Sequence, residues 1–145
     1  MEIYTIGFAG KSAESFFGLL KASGIRRLID IRLNNTSQLA GFTKADNLPF
    51  FLKKICDADY IHEPLLAPTE LILANFKKEK GTWEEFERGF LLLMDERCIA
   101  ERLDRALFDR PAVLLCSEST PERCHRRLAA EYLKRHWKDI SIVHL

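Results

Sequence analysis

The alternation of apolar and polar positions along the chain predicts short strands separated by helices. Runs of β-branched and aliphatic residues, typical of strands, occur at residues 2–7, 26–31, 60–62, 112–116 and 140–144. Apolar residues recur at helical spacing over residues 12–23, 47–57, 69–80, 82–109 and 121–137, with an interruption near residue 98. This order predicts an α/β fold: one compact domain over residues 1–145, with a mostly parallel sheet of four or five strands and helices on both faces.

Capping residues support several of these helix boundaries. Ser12 is a suitable N-cap for the first helix, and Gly24 is a suitable residue just beyond its end. Thr82 and Glu85 form a capping-box pattern, which predicts the start of another helix.

Length, composition and charge fit a single ordered domain. The chain has 145 residues, of which 47% are apolar and 30% are charged. A net charge of +1 excludes a protein that is basic overall, but it allows a local basic patch. Met1 leads directly into a strand pattern with no signal-peptide or membrane-spanning segment, so we expect a cytoplasmic protein, away from membranes, with reduced cysteines.

The segment that follows strand 112–116 concentrates reactive side chains. With the last strand residue it contains two thiols, two carboxylates, an imidazole and three guanidiniums, at Cys116, Glu118, Glu122, Arg123, Cys124, His125, Arg126 and Arg127. Because this polar segment joins the carboxyl end of a buried strand to the start of a helix, we expect a ligand site there.

Three interpretations of this cluster remain. Arg126, and Arg123 to a lesser degree, would bind an anion together with the helix dipole. Alternatively, Cys124 at a helix start beside a cation would be a reactive thiol. In a purely structural interpretation, Cys116 and Cys124 are small core residues and His125 is a hydrogen-bonded strut.

Metal binding is not expected from the sequence. The segment offers Cys116, Glu118, Cys124 and His125 as potential zinc ligands. However, adjacent ligands at 124 and 125 would point about 100° apart on a helix, and no Cys-x-x-Cys pair is present.

Two further segments supply candidate residues. Asp30 and Arg32 end the second strand and project to the same side, either as a local ion pair or with Asp30 as a general base. Gly7 ends the first strand and allows close approach of a ligand, or simply forms a turn. Phe42 lies in the long loop 33–45, where its ring would stack on a base or pack into the domain.

Several of these residues together resemble the family catalogued as domain of unknown function 488. The matching elements are Thr5 to Gly7, Asp30 and Arg32, Gly41 and Phe42, Leu115 to Glu118, Cys124 to Arg126, residues 66–69, Trp83 and residues 143–145. The resemblance implies a compact α/β domain, but it supplies no established reaction. Asn35 stands where the family pattern often has proline, and Gln38 where it often has a basic residue.

The leading hypothesis is an enzyme, or a degenerate enzyme, that acts on a phosphate-bearing ligand such as a nucleotide or nucleic acid. Arg32 and Arg126 would hold the anion, and Asp30 or Glu118 would be the general acid or base. Cys116, Cys124 and His125 would line the pocket.

The alternatives are a non-catalytic nucleic-acid-binding module, which uses the basic outer face of the last helix, and a cysteine-based redox or sulfur-handling protein. The cofactor and the oligomeric state are left open by the sequence.

Overall fold

A computed structural model describes residues 1–36 and 40–145 of the chain. The strands are β1 (Glu2–Gly7), β2 (Arg27–Asp30), β3 (Asp59–His62), β4 (Ala112–Cys116) and β5 (Ser141–His144). The α-helices are α1 (Ala13–Ala22), α2 (Leu48–Phe51), α3 (Glu70–Lys77), α4 (Trp83–Glu96), α5 (Ile99–Arg102) and α6 (His125–Trp137). A π-helical turn, Leu52–Cys56, continues α2, and 3-10 turns cover Gly41–Thr43, Pro64–Leu66 and Arg105–Phe108.

The strands form one parallel sheet in the order β3-β2-β4-β1-β5, which confirms the predicted α/β class. All five residues of the central strand β4 are buried, as its unbroken apolar run predicts, whereas the edge strands β3 and β5 are partly exposed. Cys116 lies beside Gly7 in the register, and Leu115 lies beside Asp30. The carboxyl ends of β1, β2 and β4 therefore meet at one end of the sheet.

Helices cover both faces of this sheet, as predicted. On one face, α1 and the α2 segment form a core with the sheet, and on the other α4, α5 and α6 form a second core. The side chains of β4 alternate between these cores: Val113 and Leu115 face α1, whereas Leu114 and Cys116 face α6. The sulfur of Cys116 therefore lies on the α6 side.

The connection that follows β4 leaves the carboxyl end of the sheet on the opposite face from the connections that follow β1 and β2. The chain passes from β1 and β2 to α1 and α2 on one face, but from β4 to α6 on the other. Neighbouring strands whose connections leave on opposite faces create a crevice between them. Because β4 has such a neighbour on each side, this crevice lies beside the residues that follow Cys116.

Local signals set several helix ends. Ser12 and Thr82 cap α1 and α4 as predicted, since each hydroxyl accepts a hydrogen bond from the backbone N–H three residues further on. The predicted helix 82–109 is interrupted at Cys98, whose left-handed φ of 55° separates α4 from α5. The longest helix in the described part of the chain, α4, has 14 residues, and no helix there is long and apolar enough to cross a membrane.

The last helix begins at His125, not at Pro121 as the sequence predicts. Cys124 is its cap residue and has an extended backbone, with φ −139° and ψ 139°. The preceding loop is held by a tertiary hydrogen bond, because the Arg126 guanidinium donates to the Glu118 carbonyl. Helical periodicity depends only on the spacing of apolar residues and carries no information about such a contact. The sequence pattern therefore places the helix start too early.

Candidate functional site

A pocket of about 330 Å³ lies where the chain leaves β2 and β4. Its walls come from residues 32–34, residues 116–118, residues 123–125, and parts of α3 and α4. The predicted site residues that line it are Arg32, Cys116, Glu118, Arg123, Cys124 and His125. The pocket therefore brings together candidates from the ends of two strands that are distant in the sequence.

Part of the pocket lining is aromatic and was not predicted from the sequence pattern. It includes Phe76, Trp83 and Phe86, with Lys77 beside them. Trp83 stacks on Phe86 at a ring-centroid distance of 5.1 Å, and Phe76 packs against both rings. Residues 75–80 have the pattern of a solvated helix end, and only the family resemblance drew attention to Trp83.

Arg32 lines the pocket while its guanidinium is held in place by Asp30. Nε donates to Oδ1 and Nη2 donates to Oδ2, each at 2.8 Å, and Nη2 also donates to the Thr43 carbonyl. The Arg32 side chain is 2% exposed. Within residues 1–36 and 40–145, its Nη1 has no hydrogen-bond partner. Such a buried guanidinium nitrogen suits an anionic ligand group.

Asp30 is fully engaged as a hydrogen-bond acceptor and does not line the pocket. Besides the two hydrogen bonds from the Arg32 side chain, its carboxylate accepts one from the Arg32 backbone N–H at 3.1 Å and one from the Tyr60 hydroxyl at 2.6 Å. Burial and the bond to this carboxylate raise the pKa of Tyr60 well above its usual range. The geometry thus favours an ion pair that positions Arg32, rather than Asp30 as a general base.

Cys116 and Cys124 are joined by a disulfide, and both are 2% exposed. This corrects the expectation that every cysteine is reduced. The two sulfurs meet because Cys116 faces α6 while Cys124, at the cap of α6, is held close to the end of β4. Cys56 and Cys98 are free thiols, and burial raises the pKa of Cys56.

His125 is the first residue of α6 and is bonded to the end of β2. Its Nε2 lies 2.7 Å from the Ile31 carbonyl, and its ring packs against Phe90. Burial lowers the pKa of His125 to about 4, so the imidazole is neutral at pH 7. Since a carbonyl accepts, Nε2 is the donor, and Nδ1 carries the lone pair.

Arg126 is a fully buried cation behind the two sulfurs. Its Nη1 lies 3.7 Å from Cys124 Sγ and 3.9 Å from Cys116 Sγ, and it also donates to the Glu118 carbonyl. Its Nε and Nη2 have no hydrogen-bond partner in the part of the chain that the structure describes. Burial lowers the pKa of Arg126 to about 10, so it stays charged at pH 7.

Among the predicted site residues, Glu118 and Arg123 are the exposed charged residues that line the pocket. The Glu118 side chain is 50% exposed, and its Oε1 lies 3.3 Å from Lys77 Nζ. Arg123 is exposed in the loop just before α6. Both lie where they are accessible to a ligand that enters from solvent.

Gly7 and Phe42 do not line the pocket. A Cβ atom on Gly7 would collide with the Glu118 carbonyl and the Arg126 guanidinium, so the missing side chain makes room for the loop after β4. Phe42 packs against two phenylalanines of α1, with ring centroids 5.5 and 5.8 Å away, and its ring is therefore part of the core. Gln38 lies outside the described residues.

Comparison with known proteins agrees with the family resemblance. No curated protein and no solved structure matches the chain. A family model described as "Domain of unknown function DUF488" matches residues 12–133, which include β2, β4 and every residue that lines the pocket. Because this match covers most of the chain, the protein belongs to the DUF488 family.

Proposed function

We propose that this protein is an enzyme, or a degenerate enzyme, that acts on a phosphate-bearing ligand such as a nucleotide in the pocket beside β4. The observation that carries the proposal is that basic and aromatic side chains line one pocket of about 330 Å³. The cations Arg32, Lys77 and Arg123 suit a phosphate, whereas the rings of Phe76 and Trp83 suit a planar base.

The basic residues that line the pocket are arranged to bind an anion. Arg32 is held by Asp30 in one orientation, so little conformational entropy is lost when it binds a ligand. The N terminus of α6 begins at His125, which also lines the pocket, and adds partial positive charge. Arg123 and Lys77 add charge at the exposed side of the pocket.

Glu118 is the proposed general acid or base of the reaction. It is the carboxylate among the described residues that line the pocket, and Lys77 lies close to it. Asp30 is less suited to this role because four hydrogen bonds already engage its two oxygens. Substitution of Glu118 by Gln should therefore abolish turnover while binding is retained.

Calorimetric titration with mononucleotides, dinucleotides, inorganic phosphate and short oligonucleotides tests the proposal. We expect a nucleotide to bind, and Arg123→Ala or Trp83→Leu to weaken it by about 10-fold or more. The matched control is Arg135→Ala, which removes an exposed arginine of α6 that does not line the pocket. Absence of binding by every ligand would refute the proposal.

The same titration separates this function from a non-catalytic nucleic-acid-binding module. Such a module would bind oligonucleotides through the outer face of α6, and its affinity would fall steeply with salt. Equal losses from Arg123→Ala and Arg135→Ala would then favour the module over the pocket.

A thiol-redox or sulfur-handling role is the second candidate function, favoured by the disulfide that lines the pocket. It predicts that the Cys116–Cys124 pair exchanges readily with glutathione buffers and that Cys124→Ser abolishes this exchange. Mass spectrometry after alkylation would measure the reduced fraction. A pair that stays oxidised in millimolar glutathione would exclude the role.

A further inference from the structure

We propose that, in the reduced chain, Cys116, Cys124 and His125 form a zinc site with an open coordination position toward the pocket. Their ligand atoms, two sulfurs and one imidazole nitrogen, all lie within 4.8 Å of one another. All three residues also line the pocket. The inference goes beyond the proposed function. It rests on the reduced sulfurs, whereas the proposed function rests on the basic and aromatic residues that line the pocket.

The donor set matches the coordination chemistry of zinc. Zinc prefers thiolate sulfur and imidazole nitrogen in a tetrahedral arrangement, and sites with three protein ligands keep a fourth position for water or substrate. Glu118, the nearby carboxylate of the pocket, does not belong to this cluster of ligand atoms, and its Oε1 accepts a hydrogen bond from Lys77. The fourth position is therefore left to a small molecule that enters the pocket.

The backbone at the start of α6 removes the objection that the sequence raised. Two adjacent helical ligands would diverge, but Cys124 precedes the helix in an extended conformation and His125 is its first residue. These two neighbours therefore direct their ligand atoms to the same region. The expectation that no metal binds here rested on the absence of a Cys-x-x-Cys pair and on a helix from Pro121, and the second of these assumptions is wrong because α6 begins at His125.

Hydrogen bonds around the three residues support coordination. The Ile31 carbonyl accepts a hydrogen bond from Nε2–H of His125, which leaves the Nδ1 lone pair to coordinate the metal, and such outer bonds commonly orient metal-binding histidines. Arg126 Nη1 lies within 4 Å of both sulfurs. In the disulfide these sulfurs are neutral, whereas in the metal site they are thiolates that a buried guanidinium stabilises.

Cobalt is a direct probe of this site. The 145-residue chain is reduced with a phosphine in the absence of oxygen and titrated with Co²⁺, followed by Zn²⁺. We expect thiolate-to-cobalt charge-transfer absorption and the visible bands of tetrahedral cobalt, saturating at one ion per chain and lost when zinc is added. The chain with its disulfide intact is the control and should show neither signal.

Variants locate the site. Cys116→Ser, Cys124→Ser and His125→Asn should each lower cobalt affinity by more than the ~10–100-fold that outer-shell substitutions cost. Cys98→Ser is the matched control, because Cys98 is an exposed free thiol outside the pocket. The proposal is overturned if reduced wild-type protein gives no charge-transfer band, or if the band survives Cys124→Ser or is lost in Cys98→Ser.

A measurement on the wild-type chain covers the case in which a variant does not fold. Zinc should protect Cys116 and Cys124 from alkylation and leave Cys98 reactive, as mass spectrometry would show. Equal alkylation with and without zinc would overturn the proposal. Nucleotide binding is measured separately on the chelator-treated, disulfide-bonded chain, so failure of the metal site is distinguishable from failure of the phosphate pocket.

Discussion

Arg32 and Asp30 form a bidentate ion pair in the interior, with both nitrogen–oxygen distances at 2.8 Å and side chains that are 2% and 0% exposed. Buried charges of this kind stabilise a protein only while both partners are present, because removal of one leaves the other without water or a counter-charge. The pair also connects β2 to the pocket, since Asp30 sets the position of a pocket cation. Fold stability and ligand binding are thus coupled at these two residues.

Asp30→Asn should therefore destabilise the protein by about 3–5 kcal/mol, since it leaves the Arg32 charge buried and unpaired. Urea unfolding of the variant and the wild type measures this difference. Asp57→Asn is the matched control, because the Arg26–Asp57 pair has side chains that are 54% and 59% exposed and is screened by water, so its loss should change stability little. Similar losses in both variants would contradict the ion-pair account.

Gly7→Ala should displace the loop after β4. The added Cβ would occupy the position of the Glu118 carbonyl, so we expect a loss of about 1–3 kcal/mol or more, together with weaker ligand binding. Gly18→Ala provides the comparison, since a Cβ at this α1 position meets nothing within 4 Å and should stabilise the helix slightly. A Gly7→Ala protein that is as stable as Gly18→Ala would show that the loop adopts another position.

Alkaline pH should destabilise the fold through its tyrosines. Burial and the bond to Asp30 raise the pKa of Tyr60, and burial with the bond to Asp95 raises the pKa of Tyr132 to about 12. The folded chain keeps these protons while the unfolded chain loses them near pH 10, so their contribution to stability is complete below about pH 10 and is lost as pH rises above it.

Urea midpoints at about pH 9 and about pH 11 would measure this decline, and phenolate absorbance would report the ionisation directly. In Tyr60→Phe, part of the decline should disappear. Phenolate formation in the folded protein at the same pH as in urea would contradict the assignment.

Tryptophan fluorescence should report ligand binding from one side chain. The chain has two tryptophans. Trp83 stacks on Phe86 in the pocket wall, whereas Trp137 donates its Nε1 to the Ala100 carbonyl outside the pocket. A nucleotide that stacks on the wall should change emission in Trp137→Phe but not in Trp83→Phe. The opposite pattern would place the ligand elsewhere.

The sequence by itself determined the features that are encoded within a few neighbouring residues. The apolar run Ala112–Cys116 identifies a buried central strand, and Ser12 and Thr82 identify helix starts. Strands alternating with helices specify a parallel sheet, which places Asp30 and Cys116 at the same end. These predictions hold because local periodicity and capping depend on contacts within one or two turns of chain.

Only the tertiary structure decided which side chains share the pocket. The long connection between β3 and β4 brings Phe76 and Trp83 into the same pocket as Arg32, and no local pattern specifies that approach. The loop after β4 brings Cys124 onto Cys116, because the Arg126 guanidinium bonds to that loop and delays the start of α6. Contacts between distant segments depend on strand order and on the path of each crossover, and these are properties of the whole fold.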